Sequence, residues 1–511
     1  MSHYLAIDVG TEGARVAIYA DDGECVGEGV SGYPTSFPRP GWAEQDPERW
    51  WSSVVEATRA AIVVAGVSKF DGVSVATTAS SVVVLDAAGR PLRPALLWMD
   101  SRASSQADRT AELQHEALIF SGGTDSSEWL VPKAMWISEN EPDIYDEARY
   151  IGESVDYLTW KLTDQWLGSR LNATCKWNYD SRTGALPHEL YGLLGVPDLG
   201  DKLASDIRAV GSVAGRVSAS AASELGLSSR PLVAVGGIDA HLTLVPLRAI
   251  STHPVSVVAG TSNAFVAELA DPVFSSELWG PYPGALTEGL WLVEGGQVSA
   301  GSALTWLAER VLGFSRKTAS SLIADAAAVP GFSHGLLVLD NFMGNRTPLR
   351  DPRLRGAVLG ATIATTKAQL YRATVESVAF GTRQVLESFD NAGVDTSEVF
   401  FSGGIRHNPL WLQTTAEVLG RPINLVLNEN LTLRACAATA AVASGGYRDL
   451  DDAAVAFSPE IQVIDPVTSA VGSYDEIFAL YQEATSVTAD IHHRLYQMAV
   501  DASPVYSETK S

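Results

Sequence analysis

Cysteine is scarce in this sequence, with Cys25, Cys175 and Cys436 the only three in 511 residues. They are odd in number and far apart, and they lack the short spacing of metal sites or disulfide frameworks. We therefore expect free thiols in a reducing compartment. The chain also enters a predicted strand almost at once, without a basic and apolar leader, so a cytoplasmic location is expected.

The sequence also has no long apolar run and has few positively charged residues. No run reaches the roughly 18 apolar residues that a transmembrane helix needs, so no membrane span is predicted. The chain has 36 Lys and Arg against 60 Asp and Glu, a formal net charge of −24. This charge argues against nucleic acid or an anionic membrane as a partner. An anionic ligand would need backbone amides, a metal ion or a few well-placed cations.

Apolar residues are plentiful. They make up 46% of the chain against 19% charged residues, and the length is too great for one hydrophobic core. Predicted strands alternate with helices, which indicates an α/β fold. One helix has a clear start, with Asp46 as N-cap and Pro47 at the first helical position. Its predicted buried face carries Trp50, Val54, Ala57 and Ala61.

An internal repeat indicates two similar domains. "YLAIDVGTEGARVAIY" (4–19) and "SVVAGTSNAFVAEL" (256–269) each read as strand, Gly-Thr turn, strand. Two hairpins with similar turns by chance are the alternative, but the matched flanking strands and the half-chain spacing favour duplication. We expect a first domain over 1–247, a second over 248–490 and a tail over 491–511.

A third glycine-rich turn lies in "EVFFSGGIRHNPLWLQTTAEVLG" (398–420). A short strand leads through Gly403 and Gly404 to a helix with Asn408 as N-cap, Pro409 next and Gly420 after its end. Such a turn presents free backbone N–H groups, although it could also be an ordinary packed connection. Together with the Gly-Thr hairpins it favours a nucleotide triphosphate as ligand, and Asp8 could orient Mg²⁺ through water.

A second carboxylate follows the apolar strand of "PLVAVGGIDAHLTL" (231–244). Asp239 stands at the end of this strand beside two glycines. There it could accept the proton of a hydroxyl that attacks the γ-phosphate. The alternative is an Asp that caps the following helix, and the local sequence favours neither.

Several segments occur together in the order of the FGGY carbohydrate kinases, which this chain resembles over nearly its whole length. They are "DVGTEGAR", "LLWMDSRA" (96–103), "GGIDAH" (236–241), "AGTS" (259–262), "SGGIRHNPLWLQTTAEVLGRPI" (402–423) and "YDEIFALYQ" (474–482). The resemblance implies an α/β fold of two actin-like, ribonuclease-H-like domains with an interdomain catalytic cleft. It also implies ATP, Mg²⁺ and a small sugar or polyol whose hydroxyl is phosphorylated. Kinases of this type are often homodimers.

The resemblance also assigns residues. Asp239 matches the catalytic base and, with Asp8, is a candidate metal ligand. The candidate nucleotide-site positions are Gly10, Thr11, Glu12, Arg15, Gly260, Thr261, Ser262, Gly403, Gly404 and Asn408. The chain departs from the family after Asp239, where "HLTLVPL" replaces the usual small residues and glycine. We therefore expect the local loop shape and the substrate preference to differ from the family pattern, while the base stays in place.

The substrate signals are similar to those of the ribulokinase branch. The chain lacks the Arg-Glu pair of glycerol kinases and the Met-His-Gly motif of xylulose kinases. Its "ATTASSVVVLD" (76–86), "EWLVPKAMW" (128–136), "NATCKWNYD" (172–180), "EGGQ" (294–297) and "DNFMGNRTPLRDP" (340–352) resemble ribulose kinases. Lys176 and Glu294 match sugar-contacting positions, and Ser80, Glu128 and Gln297 are further candidates. Lys176 could instead be a surface lysine and Glu294 part of a structural ion pair, while Trp129 and Trp177 are expected in the core.

The predicted activity is therefore ATP-dependent phosphorylation of a terminal hydroxyl of a ribulose-like pentulose. A xylulose, ribitol or erythritol kinase of the same family is an alternative. Two others come from different classes: a nucleotide-switched actin-like interaction protein, and a catalytically inactive sugar sensor.

Overall fold

Strands and helices alternate along the chain in the computed structural model, which describes residues 2–39, 41–315, 317–332, 335–427 and 430–502. The strands are β1 (His3–Val9), β2 (Gly13–Ala20), β3 (Cys25–Gly32), β4 (Glu44–Gln45), β5 (Gly72–Thr77), β6 (Val82–Leu85), β7 (Ala95–Leu96), β8 (Tyr150–Glu153), β9 (Gly168–Ser169), β10 (Ile207–Arg208), β11 (Val213–Arg216), β12 (Leu232–Ile238), β13 (Val255–Ala259), β14 (Asn263–Leu269), β15 (Trp279–Pro283), β16 (Trp291–Gln297), β17 (Leu337–Leu339), β18 (Ala357–Leu359), β19 (Val399–Ser402), β20 (Ile423–Val426) and β21 (Ile461–Ile464).

The α-helices range from single turns to the long C-terminal helix. They are α1 (Pro47–Ala65), α2 (Ser104–Ala111), α3 (Glu116–Ile119), α4 (Leu130–Asn140), α5 (Pro142–Glu147), α6 (Ser154–Thr163), α7 (Arg170–Lys176), α8 (His188–Leu193), α9 (Leu199–Lys202), α10 (Ala219–Leu225), α11 (Asp239–Leu242), α12 (Leu244–Leu247), α13 (Gly301–Trp306), α14 (Ala319–Ala327), α15 (Lys367–Asn391), α16 (Pro409–Leu419), α17 (Leu431–Ala443), α18 (Leu450–Ala456) and α19 (Thr468–Ala502). A π-helical turn covers Leu307–Val311, and a 3₁₀ turn covers Gly404–His407.

The chain divides into two units, each assembled from three stretches. Unit 1 consists of Met1–Ser256, Val266–Glu294 and Asn428–Glu460. Unit 2 consists of Val257–Phe265, Gly295–Leu427 and Ile461–Ser511. Both contain strands and helices, so the predicted α/β class is confirmed.

The main sheet of unit 1 brings three strand ends to one edge. Its order is β11-β12-β5-β1-β2-β3, and β5 pairs in parallel with both β1 and β12. In these ladders Thr77 stands opposite both Val9 and Ile238. Since parallel strands end at the same edge, the residues that follow them are neighbours there. Helix α17 packs on β1, β5 and β12, and α1 packs on β2 and β3.

Helix α1 shows how local sequence dictates an element. The Asp46 side chain accepts a hydrogen bond from the Glu48 N–H, and Pro47 occupies the first turn, as predicted. The helix ends at Gly66, which adopts a left-handed conformation that glycine tolerates at little cost. Its predicted inner face, formed by Trp50, Val54, Ala57 and Ala61, is buried.

The second large sheet has seven strands in the order β15-β16-β14-β13-β19-β20-β21. The parallel pair β19–β20 is followed by antiparallel β21 at the edge. The two predicted strand–turn–strand repeats are confirmed as β1–β2 and β13–β14, which are neighbours in their sheets.

The C-terminal helix differs from the predicted tail. Helix α19 continues through residues 491–502, which the sequence analysis assigned to a tail, while 503–511 lie outside the described residues. His492 is buried, and His493 Nε2 lies 2.5 Å from Asp351 Oδ2. Among the helices the structure describes, none is both long and apolar enough to cross a membrane.

Candidate active site

Asp8 lies near the end of β1. One of its carboxylate oxygens accepts hydrogen bonds, and the other has no partner among the described residues. Its Oδ2 accepts hydrogen bonds from Arg15 Nη1 at 3.3 Å and Asn430 Nδ2 at 2.6 Å. Its Oδ1 is buried and has no hydrogen-bond partner among the described residues. Burial raises the pKa of Asp8, and the Arg15 guanidinium opposes that rise. A carboxylate oxygen that burial strips of water and protein leaves unpaired is suited to a cation.

Asp239 directly follows β12, beside the strand end that carries Thr77. It is the first residue of α11 and remains partly exposed. Burial of the carboxyl raises its pKa to about 7, and the nearby Asp8 charge adds to the rise. Ile238 takes the cap position of α11, and Asp239 Oδ1 accepts from the adjacent Ala240 N–H at 2.7 Å. The side chain therefore does not cap the helix, the alternative that local sequence left open.

The N-terminus of α17 meets both of these strand ends, which the sequence analysis did not foresee. Asn430 caps α17 by accepting from the Thr432 and Leu433 N–H groups, while its Nδ2 donates to Asp8. Thr432 Oγ1 donates to the Asp239 carbonyl at 3.3 Å. A single Asn before an apolar run does predict a helix start. Nothing in that signal says which carboxylate the cap will reach.

A buried charged cluster lies two residues beyond Asp239. Lys176 Nζ is 2.6 Å from Glu294 Oε1, and His241 Nε2 is 2.7 Å from Glu294 Oε2. Burial acts to raise the pKa of Glu294, but the Lys176 ammonium and the His241 ring hold it well below its usual range. Burial lowers the pKa of His241. Thus His241, part of the segment that departs from the family, is built into the cluster.

Lys176 is not a surface lysine. Its side chain is 4% exposed, and Nζ lies 4.6 Å from the centre of the Trp129 ring. Trp129 and Trp177 are buried, as predicted for core aromatics. Glu294 does form the ion pair that was the alternative interpretation. This pair does not prevent Glu294 from also contacting a sugar.

Ser80 and Glu128 belong to the same unit as this cluster. Ser80 is buried in a left-handed conformation with φ +57°, and its Oγ has no hydrogen-bond partner among the described residues. Glu128 precedes α4 and is partly exposed. Its N–H donates to Ser126 Oγ at 3.3 Å.

The β1–β2 hairpin tip is accessible and internally braced. The Gly10 N–H donates to the Gly13 carbonyl at 3.1 Å. Thr11 Oγ1 accepts from Trp98 Nε1 at 3.0 Å. Glu12 and Arg15 are exposed. The tip therefore offers its remaining polar groups to solvent or to a ligand.

Unit 2 brings two predicted glycine turns together. The Gly260 N–H donates to the Ser262 carbonyl at 2.9 Å, and Thr261 at the tip is exposed. Gly403 has φ +87°, and a Cβ built there would lie 2.8 Å from the Ala259 carbonyl oxygen. Only glycine fits this close approach.

Two other predicted residues of unit 2 already have protein partners. Asn408 caps α16, accepting from the Trp411 N–H at 3.2 Å, and its Nδ2 lies 3.2 Å from the Tyr371 hydroxyl. The Gln297 amide is fully used: it donates to Asp340 and to the Val378 carbonyl, and it accepts from Asn263 and Thr382. The Gln297 amide therefore has no donor or acceptor left for a sugar.

The predicted residues thus fall into two groups by unit. Unit 1 holds Asp8, Gly10, Thr11, Glu12, Arg15, Ser80, Glu128, Lys176, Asp239 and Glu294, and unit 2 holds Gly260, Thr261, Ser262, Gln297, Gly403, Gly404 and Asn408. Among the described residues, no group of three or more His, Cys, Asp or Glu is arranged to hold a metal ion. A cation at Asp8 would therefore need water or ligand oxygens to complete its coordination.

Comparisons with known proteins give a consistent result. Two models of the FGGY family of carbohydrate kinases match the chain, the N-terminal domain over residues 3–246 and the C-terminal domain over 255–444. A Xenopus laevis FGGY carbohydrate kinase domain-containing protein is 28% identical, with 97% of each chain covered. A ribulokinase from Mycolicibacterium smegmatis is 30% identical over 94% of this chain and 93% of its own.

Solved structures show the same two-domain fold. A xylulose kinase from Rhodospirillum rubrum matches with a TM-score of 0.80 and 26% identity, over 96% of this chain and all of that one. A Plasmodium falciparum glycerol kinase with ADP matches with a TM-score of 0.79 over 95% of this chain and 98% of its own. At 18% identity that second likeness concerns the fold alone.

Proposed function

The chain belongs to the FGGY family of carbohydrate kinases, and on that premise we propose that it transfers the γ-phosphoryl group of ATP to a terminal hydroxyl of a pentulose or related polyol. The observation that carries this proposal is the edge of the unit 1 sheet. There, Asp8 lies near the end of β1 and Asp239 directly follows β12, and both strands pair in parallel with β5. His241, two residues after Asp239, belongs to the buried Lys176–Glu294–His241 cluster.

Asp239 is proposed as the general base. The sugar oxygen attacks the γ-phosphorus, the bond from that phosphorus to the β–γ bridging oxygen breaks, and ADP leaves. Asp239 accepts the hydroxyl proton as the new P–O bond forms. A carboxyl whose pKa lies near 7 is a stronger base than an ordinary aspartate, and it is still ionised in a useful fraction at neutral pH.

Asp8 is proposed to hold Mg²⁺. Its buried Oδ1 lacks a protein partner, and a carboxylate oxygen is a ligand that Mg²⁺ accepts. The bound ion would neutralise charge on the phosphate oxygens. Asn430 keeps the other Asp8 oxygen occupied, so the carboxylate has one orientation.

The nucleotide is proposed to contact the glycine turns. At Gly260 a Cβ would meet nothing nearer than 3.9 Å, so a ligand can approach this backbone closely, and Gly403 packs against the neighbouring Ala259. Thr11, at the tip of the β1–β2 hairpin in unit 1, adds a hydroxyl that accepts from Trp98 and can still donate to a phosphate oxygen. Such turns can hold phosphate oxygens without cationic side chains, which suits a chain with a net charge of −24.

The acceptor is proposed to contact Lys176, Glu294, Ser80 and Glu128. Lys176 donates only, whereas an ionised Glu294 accepts only, so the pair can recognise hydroxyls and a carbonyl on one open-chain ketose. A ribulose is the first candidate because a ribulokinase is among the relatives. Xylulose, ribitol and erythritol remain alternative substrates. A cytoplasmic location is proposed from the sequence, and a homodimer is proposed from the family resemblance alone.

ADP formation across a panel of ketopentoses, pentitols and tetritols tests this proposal. We expect at least one neutral pentulose or polyol to stimulate ADP release strongly over the sugar-free rate, with the phosphate found on a terminal oxygen. Slow ATP hydrolysis that no sugar changes, with nucleotide-dependent assembly, would instead support an actin-like interaction protein. Sugar binding in calorimetry without ADP would indicate a sensor.

A further inference from the structure

Glu153, at the end of β8, is fully buried, and within the described part of the chain no cationic side chain bonds to it. Instead its carboxylate accepts three hydrogen bonds. Oε2 accepts from the Ser80 N–H at 2.5 Å and from Asn172 Nδ2 at 2.9 Å, and Oε1 accepts from Trp177 Nε1 at 2.9 Å. Burying a carboxylate is costly unless donors replace its water, and here three neutral donors do so.

On one side, Glu153 fixes the backbone of Ser80. The Ser80 N–H is bonded to Glu153, and its carbonyl accepts from Lys133 Nζ at 2.8 Å. Both backbone polar groups of Ser80 are thus held by buried charged side chains. A serine with φ +57° persists only where its surroundings hold it, because this conformation is unfavourable for a residue with a Cβ.

On the other side, Glu153 holds helix α7 at two points. Asn172 lies within the helix, and Trp177 is its C-cap. Lys176, which pairs with Glu294, stands between them at the end of the helix. One carboxylate therefore connects the Ser80 turn to the helix that carries Lys176.

The backbone of Glu153 is fixed as well. Its N–H donates to Asp156 Oδ2 at 2.8 Å at the start of α6. Since both the backbone and the carboxylate are held, Glu153 cannot shift without moving α6, Ser80 or α7.

We propose that Glu153 is a positioning residue that sets the spacing between Ser80 and Lys176, and thereby the affinity of the enzyme for its sugar. The inference rests on the proposed function, since it concerns two of the groups assigned to the acceptor. This positioning role requires a carboxylate at residue 153, because a side-chain amide cannot accept hydrogen bonds from all three donors. In Glu153→Gln, the new NH₂ group would face either Trp177 Nε1 or the donors of Ser80 and Asn172.

Steady-state kinetics of Glu153→Gln test the proposal. We expect kcat/KM for the preferred sugar to fall about 100-fold, since displacements of about 1 Å cost that much, with the loss mainly in the sugar KM. The KM for ATP should stay within about twofold, because no assigned nucleotide residue bonds to Glu153. A merely structural role would reduce the amount of active enzyme and leave both KM values unchanged.

Glu376→Gln provides the matched control. Glu376 lies in unit 2, is equally buried and accepts from Phe332 N, Arg372 Nε and the Tyr474 hydroxyl. Its loss should lower the melting temperature without changing the sugar KM.

Trp177→Phe keeps the inference testable if Glu153→Gln does not fold. It removes a single hydrogen bond to Glu153 and retains most of the ring, so a rise in sugar KM of about tenfold is expected. A sugar KM unchanged in the folded Glu153→Gln, or in Trp177→Phe when the former cannot be made, overturns the inference. If the wild-type enzyme phosphorylates no sugar, the proposed function itself fails, which is a different result.

Discussion

Asn430 Nδ2 donates to Asp8 Oδ2 at 2.6 Å, although 422 positions separate the two residues. The contact exists because α17 packs across β1, β5 and β12 with its N-terminus at their carboxyl ends. The partial positive charge of a helix N-terminus stabilises carboxylates nearby. One asparagine therefore both starts a helix and orients a carboxylate of the proposed active site.

Asn430→Ser separates these two roles. Serine caps helices about as well as asparagine, so any fall in melting temperature should reflect only the lost hydrogen bond to Asp8, about 1.5–3 kcal/mol. The shorter side chain cannot reach Asp8, and the loss of a hydrogen bond to a charged group should lower kcat about tenfold. Melting curves and steady-state kinetics over a range of Mg²⁺ concentrations measure both effects. Full activity in a stable Asn430→Ser would show that the contact with Asp8 has no catalytic importance.

Lys176→Met tests the buried cluster. It leaves Glu294 with His241 alone, and loss of one partner of a buried ion pair costs about 3–5 kcal/mol. The double variant Lys176→Met/Glu294→Gln should recover part of that stability, while sugar turnover stays low in both. Chemical denaturation of the two single variants and the double variant gives the coupling energy.

Lys161→Met is the more exposed counterpart. Lys161 pairs with Glu48, whose side chain is 51% exposed, and its loss should cost less than about 1 kcal/mol. Equal effects for Lys161→Met and Lys176→Met would contradict the assignment of a strong buried pair.

Adjacent glycines allow a close comparison at the diglycine turn. Gly403→Ala would place a Cβ 2.8 Å from the Ala259 carbonyl oxygen at φ +87°, at a cost of about 1–3 kcal/mol. Gly404→Ala meets its nearest atom at 3.6 Å, an ordinary contact, and should fold normally. If the turn contacts the nucleotide, Gly403→Ala should also weaken ATP binding about tenfold in calorimetry. Unchanged ATP affinity in Gly403→Ala would remove this turn from the proposed site.

Asp340, in unit 2, should make the free energy of unfolding depend on pH. Burial raises its pKa to about 6, so the folded protein keeps a proton on Asp340 that the unfolded chain has already released. Stability therefore falls as pH rises from about 4 to about 6, by an amount of order 3 kcal/mol.

Asp340→Asn does not titrate and should escape this loss. Its melting temperature relative to wild type should rise between pH 4 and pH 6 and level off above. A difference that is constant from pH 4 to pH 7.5 would show that Asp340 does not titrate in this range.

Local signals in the sequence predicted several elements correctly. The caps of α1 and α16, the left-handed Gly420 and the two repeated hairpins are where the sequence analysis placed them. Each depends on residues a few positions apart, which the backbone brings together whatever the rest of the chain does.

The contacts that organise the site depend on packing instead. Asn430 reaches Asp8 because α17 packs on the sheet, and His241 reaches Glu294 from a segment that looked anomalous in the sequence. The same segment buries Val245 and Pro246 in the core. Glu153 shows no sequence signal at all, since Ser80 and Trp177 lie 73 positions before it and 24 after it.

The central claim is that Asp239 accepts the proton of the sugar hydroxyl, and Asp239→Asn tests it most directly. The change is isosteric, so calorimetry should find ATP bound as in wild type, while sugar-dependent ADP formation should fall about 10²- to 10⁴-fold. Asp86→Asn, in a turn of unit 1 where Asp86 bonds Ala88 and Arg90, should keep the wild-type rate as a control. A wild-type rate of sugar phosphorylation in Asp239→Asn would contradict the account.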